Sequence, residues 1–287
     1  MTIPAELKRL QLRSRKLVTG DLLGQYRSAF RGSGLVFSDL RQYQPGDDIK
    51  HIHWKATART STVFVKSYEE ERQLRVLLAV DTSPSMRAPL GQQSYSKAIE
   101  FCSLIGSLTQ SGNDLLGLFM FAETTGEFIE PSARPKRFAQ ILSALINSSA
   151  DRGSITDLNG ALERLSLNLR KPSVVFILSD FECPDFEKGL ENLVMRHDVI
   201  LVQTQPDPAA LPSVGLVTFR DAESGDLCLV DTSSKVVQRS WAEALKSHRD
   251  KVRDTAKHCG ADHILITDNA AQPLIKLMRE RVHRISR

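Results

Sequence analysis

The chain has 287 residues, 41% hydrophobic, 25% charged and 6% aromatic, with 16 glycines and 12 prolines and no internal repeat. That length closes one large core, or one core plus a smaller appendage, and the composition excludes collagen-like, disordered and solenoid classes. The formal net charge of +4 is uneven: residues 1–72 carry 13 Lys/Arg against 8 Asp/Glu, and the remainder 25 against 26.

The N-terminus opens as a basic amphipathic stretch, with Leu7, Leu10 and Leu17 set against Lys8, Arg9, Arg13, Arg15 and Lys16. Charge stands where a secretory peptide needs an apolar run, and apolar runs such as 76–80 and 174–178 fall far short of the roughly 20 residues that cross a bilayer, so a cytoplasmic location is expected. The stretch could touch an anionic surface or dock on the protein itself; it lacks interleaved aromatics and any nucleic-acid motif, and no nucleic-acid partner is expected. A Gly-rich stretch and an extended segment at 63–68 follow. Residues 1–72 hold too few apolar side chains for a core of their own and are expected to form an extension packed on a main domain at 73–287.

From residue 73 onward, short apolar runs at 74–80, 115–122, 173–178, 199–204 and 263–267 alternate with helical spacing at 93–110, 135–148, 157–169, 185–195, 234–258 and 270–283. Uninterrupted apolar runs are strands buried on both faces. The alternation therefore predicts an α/β domain with a doubly wound, mostly parallel sheet covered by helices on both sides. In the 234–258 helix, Val237, Trp241, Ala244, Leu245 and Val252 are expected on one stripe. Residues 214–231 depart from the pattern, since two strand-like runs flank a Ser-Gly-Asp turn and predict an inserted β-hairpin. Cys102, Cys183, Cys228 and Cys259 are widely spaced and read as reduced thiols.

Two apolar runs end in aspartate, Val80 being followed by Asp81 and Leu178-Ser179 by Asp180. In open α/β sheets ligands sit beyond the carboxyl ends of the strands, so both carboxylates are aimed at the usual site. Asp81-Thr82-Ser83-Pro84-Ser85 presents one carboxylate and two hydroxyls from a strand-to-helix turn, and Thr156 opens another helix. Taken singly, Ser83, Ser85 and Thr156 read as helix caps. Together with the aspartates they form a set of hard oxygen donors suited to a divalent cation, Mg2+ first, with Mn2+ or Ca2+ as alternatives. Asp268 also follows an apolar run but has no hydroxyl string beside it. His51 and His53 form a weak zinc pair, read as solvated or charge-paired.

Asp81-x-Ser83-x-Ser85 with Thr156 and Asp180 resembles the metal-ion-dependent adhesion site of von Willebrand factor A-like domains in all three of its parts. The resemblance implies a metal held by the hydroxyls directly or through water, with a partner protein's carboxylate completing the octahedron. Upstream, residues 32–59 resemble the signature of the bacterial "domain of unknown function 58" family through Arg41, Tyr43, Pro45, Gly46, Asp47, Asp48, Trp54, Lys55 and Arg59. His53 stands where that family often carries an aspartate. The resemblance implies an accessory partner of MoxR-type AAA-plus ATPases and possible membrane-associated von Willebrand factor A-like partners. Read from the residues alone, Pro45-Gly46 is a turn, Asp47 and Asp48 can pair with Arg41, Lys50 or Arg59, and Trp54 is an anchor, which suits an internal clasp and a partner-binding surface equally.

A cation held by neutral hydroxyls and two carboxylates stays electrophilic and recruits an anionic oxygen. The sequence contains no G-x-x-x-x-G-K-[ST], G-x-S-x-G, H-E-x-x-H or G-x-G-x-x-G motif. The leading expectation is therefore a non-enzymatic, metal-dependent protein-interaction module, an adaptor or assembly factor. The alternative is a metal-dependent hydrolase of a phosphoester or peptide.

Overall fold

The computed structural model describes residues 5–30, 40–44, 57, 63–66, 73–87, 92–122, 125–148, 157–183, 185–206, 211, 213–220 and 226–285. The chain divides into two compact units, one of residues 31–73 and one of residues 1–30 together with 74–287. In the smaller unit, β1 (Leu40–Gln42) pairs antiparallel with β2 (Phe64–Lys66), and the Tyr43 N–H extends the ladder by donating to the Val63 carbonyl at 2.8 Å. Arg41 lies in β1 and Tyr43 just beyond it, exposed. Pro45, Gly46, Asp47, Asp48, His51, His53, Trp54, Lys55 and Arg59 lie outside the described residues.

The larger unit is built on a six-stranded sheet in the order β10-β7-β6-β3-β4-β5. The strands are β3 (Arg75–Asp81), β4 (Leu115–Phe121), β5 (Thr125–Ser132), β6 (Val174–Ser179), β7 (Asp198–Thr204) and β10 (Asp262–Ile266). All neighbours are parallel except β4 and β5. Side chains alternate across the pleat: Val76, Leu78 and Val80 of β3 enter one core, and Leu77 and Ala79 enter the other. Both faces are buried, which is why the run is continuously apolar. The first core is closed by α2 (Gly20–Phe30), α4 (Gln92–Gly112), α5 (Arg137–Asn147) and α9 (Ala271–Ile285). The second is closed by α6 (Leu158–Asn168), α7 (Glu187–Val194) and α8 (Lys235–Cys259). This is the doubly wound α/β architecture expected, a mostly parallel sheet covered by helices on both faces.

All five predicted strands and six predicted helices of this domain are present, and the hairpin forms from β8 (Leu216–Arg220) and β9 (Leu227–Asp231). The structure adds β5, an antiparallel edge strand with register shifts against β4 that tolerates Pro131 because one side of it is unpaired. It also adds α2, whose Leu22, Tyr26, Ala29 and Phe30 are buried despite Gly20 and Gly24. A short helix, α3 (Pro84–Arg87), follows β3.

Two expected faces are corrected. Ala244 is exposed, and the buried stripe of α8 runs through Leu245, Val252 and Ala256. The basic first helix, α1 (Ala5–Leu17), meets α4 through hydroxyls, with Ser14 Oγ 2.7 Å from Ser107 Oγ and Ser103 Oγ donating to Ser14 Oγ at 3.0 Å. Leu17 remains exposed, because burial here follows the small side chains that let the two helices approach closely. Among the described residues no helix is long and apolar enough to cross a membrane.

Candidate metal centre

The order of the strands fixes where a ligand can sit. From β3 the chain passes through α4 to β4 on one side, and from β6 it passes through α7 to β7 on the other. The outgoing connections diverge between β3 and β6 and leave a crevice beyond their carboxyl ends. Asp81 is the last residue of β3, Ser179 the last of β6, and Asp180 follows at once.

Asp81 is almost fully buried, and its two oxygens are held separately. Oδ1 accepts the Ser83 N–H at 2.8 Å, and Oδ2 accepts the Ser179 hydroxyl at 2.6 Å. The first of these bonds closes an Asx-type turn, which bends the chain from strand into α3. Thr82 is turned away from the crevice and donates through Oγ1 to the Phe121 carbonyl at 3.1 Å, so the residues on either side of it face the opposite way. The Ser83 and Ser85 hydroxyls lie 2.9 Å apart. Ser179 Oγ also accepts the Phe181 N–H at 2.9 Å, steadying a loop in which Phe181 adopts φ 59°.

Burial, together with the negative charge of Asp180, raises the Asp81 carboxyl to about 7, against the opposing hydrogen bonds of Ser179 and Ser83. Burial also raises Asp180, opposed by the Glu182 N–H, the Ser85 hydroxyl and nearby His248. Two carboxyls pushed up by dehydration, Asp81 also by the charge of Asp180, beside two hydroxyls, are a place where positive charge is missing. The donor chemistry fits a hard divalent ion. The 2.9 Å separation of the two serine oxygens matches the edge of an octahedron with metal–oxygen bonds of about 2.1 Å, the magnesium value. Among the described residues no three His, Cys, Asp or Glu side chains gather into a group able to hold a metal ion, so the donor set here is the mixed one of hydroxyls and two carboxyls.

Four of the five predicted ligands, Asp81, Ser83, Ser85 and Asp180, thus stand around one crevice. Thr156 lies outside the described residues; its neighbour Asp157 caps α6 by accepting the Gly160 N–H at 2.8 Å. Asp268 follows β10, and the residue that caps α9 is Asn269, which accepts the Ala271 N–H at 2.8 Å. Sequence reasoning missed Ser179, although it is the last residue of an apolar run and stands directly before Asp180. It also missed His248, whose Nε2 lies 2.8 Å from the Asp180 carbonyl oxygen. His248 is carried by α8, and nothing in its local sequence marks it.

Among known proteins, the chain is 28% identical to the uncharacterized protein Rv1480 of Mycobacterium tuberculosis over 265 residues, covering 90% of this chain and 83% of the relative. Similar solved structures include the conserved hypothetical protein BatB from Bacteroides thetaiotaomicron, at 11% identity and a TM-score of 0.45, covering 74% of this chain and 98% of that one. Another is von Willebrand factor type A from Catenulispora acidiphila, at 10% identity and a TM-score of 0.42, covering 78% of this chain and 44% of that one. The family model described as "Protein of unknown function DUF58" matches residues 39–251, more than half of the sequence, and the chain belongs to that family.

Proposed function

We propose that this protein is a non-enzymatic, divalent-metal-dependent protein-interaction module of the cytoplasm, an adaptor or assembly factor working with a MoxR-type AAA-plus ATPase. One observation carries the reading: Asp81, Ser83, Ser85 and Asp180, from the ends of two strands far apart in sequence and the turns that follow them, meet at the sheet's switch point with two dehydrated carboxyls and paired hydroxyls. Asp81 and Asp180 would hold the ion's charge, Ser83 and Ser85 would supply neutral oxygens, and Thr156 is a proposed fifth donor. When bound, Mg2+ supplies an electrophilic centre that attracts a carboxylate from the partner. Ser179 keeps Asp81 in place through its 2.6 Å hydrogen bond, and His248 anchors the Asp180 loop through the backbone. Arg41, Tyr43 and the rest of the 32–59 signature are proposed as a second partner-binding surface.

Isothermal titration with Mg2+, Mn2+ and Ca2+ on the wild type, Asp81→Ala and Ser83→Ala tests the metal. Capture of a purified MoxR-type ATPase from the same host, with and without chelator, tests the partner. The expected result is loss of metal uptake and of ATPase capture in both variants, with unchanged circular dichroism. Absence of uptake of all three ions by the wild type, or capture that survives chelator, overturns the reading.

A further inference from the structure

The β8–β9 hairpin leaves a whole sheet face uncovered. Its register sets Leu216 opposite Asp231, Thr218 opposite Leu229 and Arg220 opposite Leu227, and all six side chains on that face are exposed. Leu216, Leu229 and Leu227 are 70%, 65% and 64% exposed, and Val214 and Val236 beside the hairpin base are 69% and 72%. Among the described residues eleven large apolar side chains are exposed, and five of them are these. Scattered leucines on a surface need no explanation, but leucines contiguous on one sheet face do. The opposite face is half-buried through Val217, Phe219 and Val230.

The hairpin is held firmly at its base. Thr232, fully buried, donates its N–H and its hydroxyl to the Gly215 carbonyl, both at 2.8 Å, and its hydroxyl oxygen accepts the Val214 N–H at 3.1 Å. The Gln238 side chain, one turn into α8, donates to the Thr232 carbonyl at 3.1 Å. Gly215 takes φ 87°, which a side chain would strain. An isolated two-stranded ribbon is marginal in water, so a ribbon clamped this way and still bare on one face is a prepared platform.

The layout of the face says what covers it. The leucines run along one diagonal, from Leu216 at the base of β8 through Leu229 to Leu227 at the tip of β9. The charges stand at the other two corners, Arg220 at the tip of β8 and Asp231 at the base of β9. A two-fold axis lying in the contact plane exchanges those corners. Arg220 of each copy then meets Asp231 of the other twice over, with leucine on leucine between them. A face that complements itself under a two-fold rotation is the mark of an isologous contact. We infer that the exposed face of the β8–β9 hairpin binds a second copy of this chain, forming a symmetric dimer through Leu216, Leu227 and Leu229 with reciprocal Arg220–Asp231 pairs. The face is small beside a standard interface, so the dimer is weak and concentration-dependent.

Sedimentation velocity of the full chain over a wide concentration range tests this, run in chelator so that the outcome is independent of the metal reading. The wild type is expected to pass from monomer to dimer as concentration rises. Leu229→Glu and Arg220→Glu each weaken dimerisation by about tenfold or more, the scale of one lost apolar or ionic contact. Both side chains face solvent in the monomer, and an unchanged melting temperature verifies that the fold is kept. A wild type that stays monomeric throughout, or a dimer that survives both substitutions, overturns the inference.

Discussion

Asp81 and His263 show how burial acts on ionisable groups of opposite charge. Burial and Asp180 raise Asp81 from 3.8 to about 7, whereas burial, with Arg253 and Arg249 nearby, lowers His263 from 6.5 to about 4. The His263 Nε2 lies 3.0 Å from Gln203 Oε1, an arrangement that suits a neutral ring donating its proton. The signs follow from linkage. Between pH 4 and 7 the folded, metal-free protein keeps a proton on Asp81 that the unfolded chain has lost, so this group makes stability fall as pH rises. Between pH 6.5 and 4 the unfolded chain protonates His263 while the fold excludes the proton, so this group makes stability fall as pH drops. Urea unfolding in chelator is therefore expected to show Asp81→Asn gaining stability over the wild type as pH rises from 4 to 7. His263→Gln gains over the wild type as pH falls from 6.5 to 4. Curves parallel to the wild type in either variant would contradict the assignment. The carboxylate positions were legible, since each aspartate ends an apolar run. The shifts were not, because dehydration depends on what the neighbouring strands and helices cover.

At the level of elements, close packing sets the tolerances. Gly106 of α4 lies against the ring of Phe138 from α5, and a Cβ at that position would collide with a ring that is only 4% exposed. Gly106→Ala is expected to cost about 1–3 kcal/mol in urea unfolding, with part of the loss recovered when Phe138→Leu is added to the same chain. Additive losses would show that the two positions do not share the space. On the opposite flank, Arg281 of α9 ties the first residues of β7 and β10 together. Its guanidinium donates to Asp198 at 2.6 and 2.7 Å and to Asp262 at 2.6 Å, and lies 4.8 Å from the centre of the Phe30 ring of α2. Arg281→Met leaves Asp198 without its cation and Asp262 with Arg284 alone, at 2.9 Å, and is expected to destabilise the fold by about 2–4 kcal/mol. That is less than for a fully enclosed pair, because Asp198 is 42% exposed; a loss under 1 kcal/mol would show the cluster to be surface-like. Sequence periodicity found α4, α5 and α9 but not α2 or β5. In α2 the glycines hide an apolar stripe that is completed only against α9. In β5 the register shifts against β4 break the alternation that marks a regular strand.

For the whole molecule, the proposed ion ties local chemistry to global stability. A ligand that binds only the folded state at about 100 times its dissociation constant adds about 2.7 kcal/mol, so saturating Mg2+ is expected to raise the melting temperature of the wild type and leave that of Asp81→Ala unchanged. An equal rise in both would place binding elsewhere. The α/β class, the strands that are buried on both faces, the β8–β9 hairpin and the hydroxyl string after Asp81 were legible along the chain, because each is written in contiguous residues as a period, a turn or a run. That β3 and β6 lie side by side, so that Ser179 reaches across 98 positions to Asp81 at 2.6 Å, and that one face of the hairpin stays bare, emerges in the folded molecule alone. Which strands pair is set by ladder hydrogen bonds and shared burial between distant segments, and those energies exist only once the sheet has closed.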